Sequence, residues 1–239
     1  MTIILSIETS TELASAALLT DQGIIFRELS GVQTHSQGIL PMIQQLLKQG
    51  GISLNQCDAI GFGCGPGAFT GVRTACGIVQ GLAFGAELPV VPIVSLLAMA
   101  EGARARAPEL AGADLVCVLD ARMEEVYWAR YRHDGTEWQV VAEPALSSFA
   151  QLLADVDFSN AALVYGKGLT LDGLPAGTLS FPYMPHAEQI AHLALTAYRA
   201  GRAVSAAQAQ PLYLRNKIAL TTEERMLAKQ GASPGKGDA

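Results

Sequence analysis

The sequence predicts an α/β protein of two similar domains, residues 1–106 and 107–217, followed by a flexible tail over 218–239. Three observations carry that expectation. A β-β-β-α-β-α order is legible twice along the chain. Half of the 239 residues are apolar, enough for a sizeable core without disulfide staples. The run Gly61-Phe-Gly-Cys-Gly-Pro-Gly-Ala-Phe-Thr-Gly-Val-Arg73 joins a short apolar strand to a helix through a glycine-rich turn.

In the first unit, short β-branched and apolar runs predict strands at 2–8, 13–20 and 24–30, separated by turns at Ser10-Thr11-Glu12 and Asp21-Gln22-Gly23. Ile39, Leu40, Ile43, Leu46 and Leu47 then fall on one helical stripe, opened by Ser36 as N-cap and closed by Gly50-Gly51. A strand at 58–63, the glycine-rich helix at 69–85 and a strand at 89–94 complete the unit. A further helix starts near Ser95, and an Ala/Arg/Pro-rich stretch at 102–113 leads into the repeat. The second unit reads as strands at 114–120, 124–132 and 137–142, a helix near 148–155, a strand at 161–165, a Gly- and Pro-rich loop and a helix at 187–200. Duplication of this unit points to an actin-like, ribonuclease-H-like (ASKHA) pair of domains, in which ligands or partners sit in or beside the cleft between them. From Thr221 to Ala239, charges and glycines with little apolar periodicity predict a frayed end.

A net charge of −6 argues against a protein that holds nucleic acid by itself, because phosphate neutralisation needs a concentrated basic face. Cys57, Cys64, Cys76 and Cys117 form no close pair, which fits free thiols in a reducing compartment and predicts a cytoplasmic protein. Met1 to Glu8 lacks the basic leader and long apolar core of a signal peptide. The apolar stretch from Leu88 to Ala100 is broken by Pro89 and Pro92, so no membrane segment is expected.

Among chemical motifs, Gly63-x-Gly65-x-x-Ala68 matches the loose dinucleotide fingerprint, but Pro66 lies inside the turn and the motif follows a three-strand meander. It also lacks the Gly-Lys-Ser/Thr ending of a phosphate loop, so a structural strand-to-helix turn is the better reading. Glu8 with Thr9, Ser10 and Thr11 ends the first strand, and Asp120-Ala-Arg122 occupies the equivalent place in the second unit. Two carboxylates facing each other there would suit Mg²⁺ or a polarised water. The plainer reading has hydroxyls capping the turn and Asp120 paired with Arg122 or a backbone amide. His35, His133, His186 and His192 do not cluster; the last two are six apart, whereas a helical zinc pair uses a spacing of four. Gly77, Gly81 and Gly85 recur every fourth residue, each costing about 1 kcal/mol relative to alanine inside a helix. Such a strip would let another helix approach closely, with Leu40, Ile43 and Leu47 supplying apolar contact. The alternative is that both helices only cover their own sheet.

Taken together, Ile4-Leu-Ser-Ile-Glu-Thr-Ser10, Thr34-His-Ser36, Leu40-Pro-Met-Ile43, Gly65-Pro-Gly-Ala-Phe-Thr-Gly-Val-Arg73, Leu119-Asp-Ala-Arg122 and Pro211-Leu-Tyr-Leu-Arg215 resemble the TsaB (YeaZ) family, in order, to about residue 215. The resemblance implies a non-catalytic scaffold and activator subunit, without a cofactor of its own, for threonylcarbamoylation of the adenosine beside the tRNA anticodon. Its implied partners are the catalytic subunit TsaD and the ATPase TsaE, with tRNA reached only through the complex and a second copy of the chain taking the place of TsaD when TsaD is absent. Partner contact falls, by the same resemblance, on the helices from Ser36 to Gln49 and from Phe69 to Gly85. The candidate contact residues there are His35, Leu40, Ile43 and Leu47, then Thr70, Arg73, Thr74, Gly77, Gly81 and Gly85. The catalytic relative holds its metal with two histidines in a pattern like Val-Asn-His-Leu-Glu-Gly-His; this chain has Val94-Ser-Leu-Leu-Ala-Met-Ala100, with Leu96 and Ala100 at the ligand positions. Neither side chain can donate to a metal. Ala68 stands where members of the family often have serine, a departure that touches a hydroxyl contact and not the turn. Competing functions are an independent actin-like enzyme, either a small-molecule kinase or a metallopeptidase, and a homodimeric nucleotide-binding module.

Overall fold

The computed structural model describes residues 2–30 and 35–215, the side chains of Ser30 and His35 excepted. The expected flexible tail lies outside the described residues. Two five-stranded sheets share one topology. The first comprises β1 (Ile4–Glu8), β2 (Leu13–Thr20), β3 (Gly23–Ser30), β4 (Ala59–Gly65) and β5 (Val90–Val94), in the order β3-β2-β1-β4-β5. The second comprises β6 (Asp114–Arg122), β7 (Glu125–His133), β8 (Trp138–Ser148), β9 (Ala161–Tyr165) and β10 (Ser180–Pro182), in the order β10-β9-β6-β7-β8. In each, an antiparallel meander is followed by parallel pairing of the first and fourth strands, as β1 with β4 and β6 with β9. This is the duplicated actin-like α/β unit.

Helices sandwich both sheets because the central strands are apolar on both faces. Along β1, Leu5 and Ile7 turn one way while Ile4 turns the other, the period-two alternation of a strand. Leu5 and Ile7 pack under α1 (His35–Gln49) and α2 (Phe69–Ala86), which bury Ile39, Ile43 and Leu46, and Val72, Ala75 and Val79. On the second sheet, Val116 and Val118 pack near α4 (Phe149–Asp155), whose N-cap Ser148 accepts the Gln151 N–H at 3.1 Å.

The remaining helices cross over. α3 (Ser95–Arg106) follows the last strand of the first sheet but packs Leu96, Met99, Ala100 and Ala103 against Leu115, Cys117 and Tyr131 of the second. α5 (Ala187–Arg199), at the end of the second unit, packs Ile190, Ala191 and Ala194 against Ile4, Ala59 and Val91 of the first. Each sheet therefore depends on the other half of the chain for one of its layers, and burial of Leu96 alone contributes about 2 kcal/mol.

Three local expectations are corrected. Ser36 lies inside the first turn of α1 and is not its cap. β8 continues to Ser148 through Pro144, which an edge strand tolerates because its outward N–H has no ladder partner to lose. The Gly- and Pro-rich loop contains β10, three residues paired in parallel with β9.

Candidate functional site

The glycine-rich turn meets the end of β1. Ala68 N–H donates to Ser10 O at 2.6 Å, and Thr9 Oγ1 donates to Gly71 O at 2.7 Å. A Cβ at Gly67 or Gly71 would collide with the backbone of Ser10 or Thr9, so only glycine permits this approach. The turn binds its own neighbouring strand, as the structural reading of the motif requires.

Glu8 is wholly buried at that junction, where Ser10 N–H donates to Oε1 at 2.5 Å and Ser95 Oγ to Oε2 at 2.8 Å. Burial raises its carboxyl above the usual 4.5, partly offset by the hydrogen bonds from Ser10 and Ser95. In the second unit, Asp120 accepts the Arg122 N–H at 2.8 Å and pairs with the Arg122 guanidinium at 3.1 Å. Both carboxylates are engaged locally, so the expectation of a pair facing a common ion gives way to the plainer one. Among the described residues, no group of three or more His, Cys, Asp or Glu could hold a metal ion. His186 caps α5 by accepting the Glu188 N–H at 3.1 Å. Between the two units lies a cleft of about 670 Å³, lined by Ser10, Phe69, Leu119, Arg122, Lys167 and Tyr213.

A second surface is the outer side of α2. Gly77, Gly81 and Gly85 are exposed, and a Cβ on any of them would meet nothing within 4 Å. Among the described residues these glycines fit no contact, although each weakens the helix. Thr70 and Thr74 are linked by the Thr74 hydroxyl donating to Thr70 O at 2.9 Å, and both face outward with the glycines. Arg73 is held over the Phe69 ring at 3.5 Å, while its Nε donates to Tyr213 Oη at 2.7 Å.

On α1 the predicted contacts divide. Leu40 is 42% exposed, Leu47 is half-buried against the core, and Ile43 is 2% exposed within it. Ile43 serves the core because its stripe with Ile39 and Leu46 faces β2. The side chain of His35 lies outside the described residues. Leu96 and Ala100 are fully buried hydrocarbon against the second sheet. Phe84, 82% exposed on the same side of α2 as Gly77 and Gly81, is a surface residue that the sequence reading passed over. Its spacing of three from Gly81 and seven from Gly77 was signal enough.

The family model for TsaD, tRNA N6-adenosine threonylcarbamoyltransferase, matches residues 16–230. A tRNA threonylcarbamoyladenosine biosynthesis protein TsaB from Haemophilus influenzae is 39% identical over 231 residues, covering 90% of this chain and 94% of the relative. TsaB of Escherichia coli is 35% identical over 225 residues, covering 90% and 96%. The solved structure of YeaZ from Pseudomonas aeruginosa superposes with a TM-score of 0.78 at 35% identity, covering 90% of this chain and 100% of that one. With its doubled sheet topology and its glycine-bearing turn, the chain belongs to the TsaB (YeaZ) family of tRNA threonylcarbamoyladenosine biosynthesis proteins.

Proposed function

We propose that the chain is a non-catalytic scaffold in tRNA threonylcarbamoyladenosine synthesis, activating a TsaD-type subunit that docks on the outer side of α2 and the exposed edge of α1. The observation that carries this is the open strip of Gly77, Gly81 and Gly85 flanked by Phe84. A surface that gives up helix propensity at three positions and exposes a phenyl ring gains nothing in the free protein; a helix laid against it recovers both. The lack of catalysis is supported by Leu96 and Ala100, whose hydrocarbon side chains stand at the ligand positions of the catalytic relative and are closed off in the core.

In the same proposal a TsaE-type ATPase joins the complex, tRNA is reached only through it, and a second copy of the chain occupies the α2 face when TsaD is absent. The setting is the cytoplasm, which the four free, buried cysteines favour. None of the described helices is long and apolar enough to cross a membrane.

The test is reconstitution. The purified chain alone should form no threonylcarbamoyladenosine on tRNA, and synthesis should appear when TsaD, TsaE and the enzyme forming threonylcarbamoyl-adenylate are added. Turnover by the chain alone, or stoichiometric zinc or iron after purification without chelator, would overturn the scaffold assignment.

A further inference from the structure

Arg73 is the only charged residue of α2. Its guanidinium is fixed twice: the Phe69 ring covers one flat side at 3.5 Å, and Tyr213 Oη accepts from Nε at 2.7 Å. Tyr213 lies 140 residues away in sequence, so the C-terminal segment is brought across the molecule to make this contact. Among the described residues no carboxylate pairs with Arg73, and its Nη atoms have no hydrogen-bond partner. Arginines of the second unit are neutralised instead by carboxylates, Arg122 by Asp120, Arg130 and Arg132 by Asp114, and Arg215 by Glu125.

An exposed arginine ordinarily loses side-chain rotamer freedom when it binds, and that loss opposes binding. Stacking and the Tyr213 bond have already removed most of that freedom while leaving the outer Nη edge available. That edge is the part of the guanidinium that accepts a carboxylate with two parallel hydrogen bonds. We infer that Arg73 is a preset clamp for one Asp or Glu carboxylate on the docking helix of the TsaD-type partner, the polar anchor beside the glycine strip. A protein carboxylate fits better than a phosphate group, because a single cation stands on this helix, among the uncharged Thr70, Thr74 and Gly77. The inference rests on α2 being the docking face.

The experiment measures affinity of the full chain for the purified TsaD-type subunit by titration calorimetry, with Arg73→Ala, Arg73→Lys, Tyr213→Phe and Gly81→Leu, each checked for a cooperative melt no lower than that of wild type. Arg73→Ala should weaken binding about 30-fold, and Arg73→Lys should restore little of it, because an ammonium neither stacks on Phe69 nor binds in the same forked geometry. Tyr213→Phe, which keeps the ring but releases Nε, should fall between wild type and Arg73→Ala. Raising salt from about 50 to 300 mM should weaken the wild-type complex more than the Arg73→Ala complex. If Arg73→Ala binds like wild type with the same salt dependence while Gly81→Leu does not bind, the clamp is wrong and the docking face stands. If both bind like wild type, the face itself is wrong. Full restoration by Arg73→Lys would also overturn the clamp, since a mobile point charge would then suffice.

Discussion

Replacing Phe84 with alanine should separate docking from folding. In the free protein the ring is 82% exposed, so its removal forfeits little intramolecular contact and should shift the melting temperature by less than about 1 °C. In the complex the outcome reverses. A phenylalanine side chain buries about 200 Å² when fully covered, and at about 25 cal/mol per Å² the exposed share is worth about 4 kcal/mol. Ordering of the partner side chains and the area that alanine still covers reduce this to about 2 kcal/mol, a loss of about 30-fold in affinity for the TsaD-type subunit. Calorimetric titration, with thermal melts of the same samples, reads both quantities. Unchanged affinity would refute the placement of Phe84 in the interface, and a large fall in melting temperature would show that the ring serves the fold instead.

Three further expectations come from the same geometry. Gly81→Ala should raise the stability of the free chain by about 1 kcal/mol, because its Cβ meets open space on a helix, yet weaken docking by at least about tenfold; a gain in both would contradict close helix approach. Gly71→Ala places a methyl group on the Thr9 backbone and should cost about 2 kcal/mol, or about 6 °C in Tm, read by thermal denaturation against Gly77→Ala, which should not lose stability. Glu8, with its carboxyl raised above 4.5 by burial, binds its proton more tightly when folded, so its contribution favours folding below that pH and is lost as pH rises through the folded value. Glu8→Gln should therefore flatten the fall in stability above about pH 4.5 in urea titrations, and an unchanged slope would show that Glu8 is not the group responsible.

Much of this architecture was legible because the central strands β1, β4, β6 and β9 are short apolar runs bounded by turn residues, and that pattern repeats. β10 was not, since Ser180-Phe181-Pro182 has too few residues to show a period and becomes a strand only by pairing with β9. Nor could periodicity reveal the exchange of α3 and α5, because an apolar stripe tells which side of a helix is buried and not which sheet covers it. The candidate surface divides in the same way. Gly77, Gly81 and Gly85, four apart in one helix, are conspicuous through their cost, whereas the stripe of Ile39, Leu40, Ile43, Leu46 and Leu47 is too wide to tell that Leu40 faces solvent and Ile43 the core. The pairing of Arg73 with Tyr213 has no local signal at all, since it depends on where the chain returns after α5.

The central claim, that this chain acts by docking a catalytic partner on α2, is tested most directly by sedimentation of the chain with the TsaD-type subunit, comparing wild type with Gly81→Leu. The account predicts a stable heteromeric species for wild type and separate components for the variant, with both forms of the chain equally folded. A variant that sediments with the partner as fully as wild type does would contradict it.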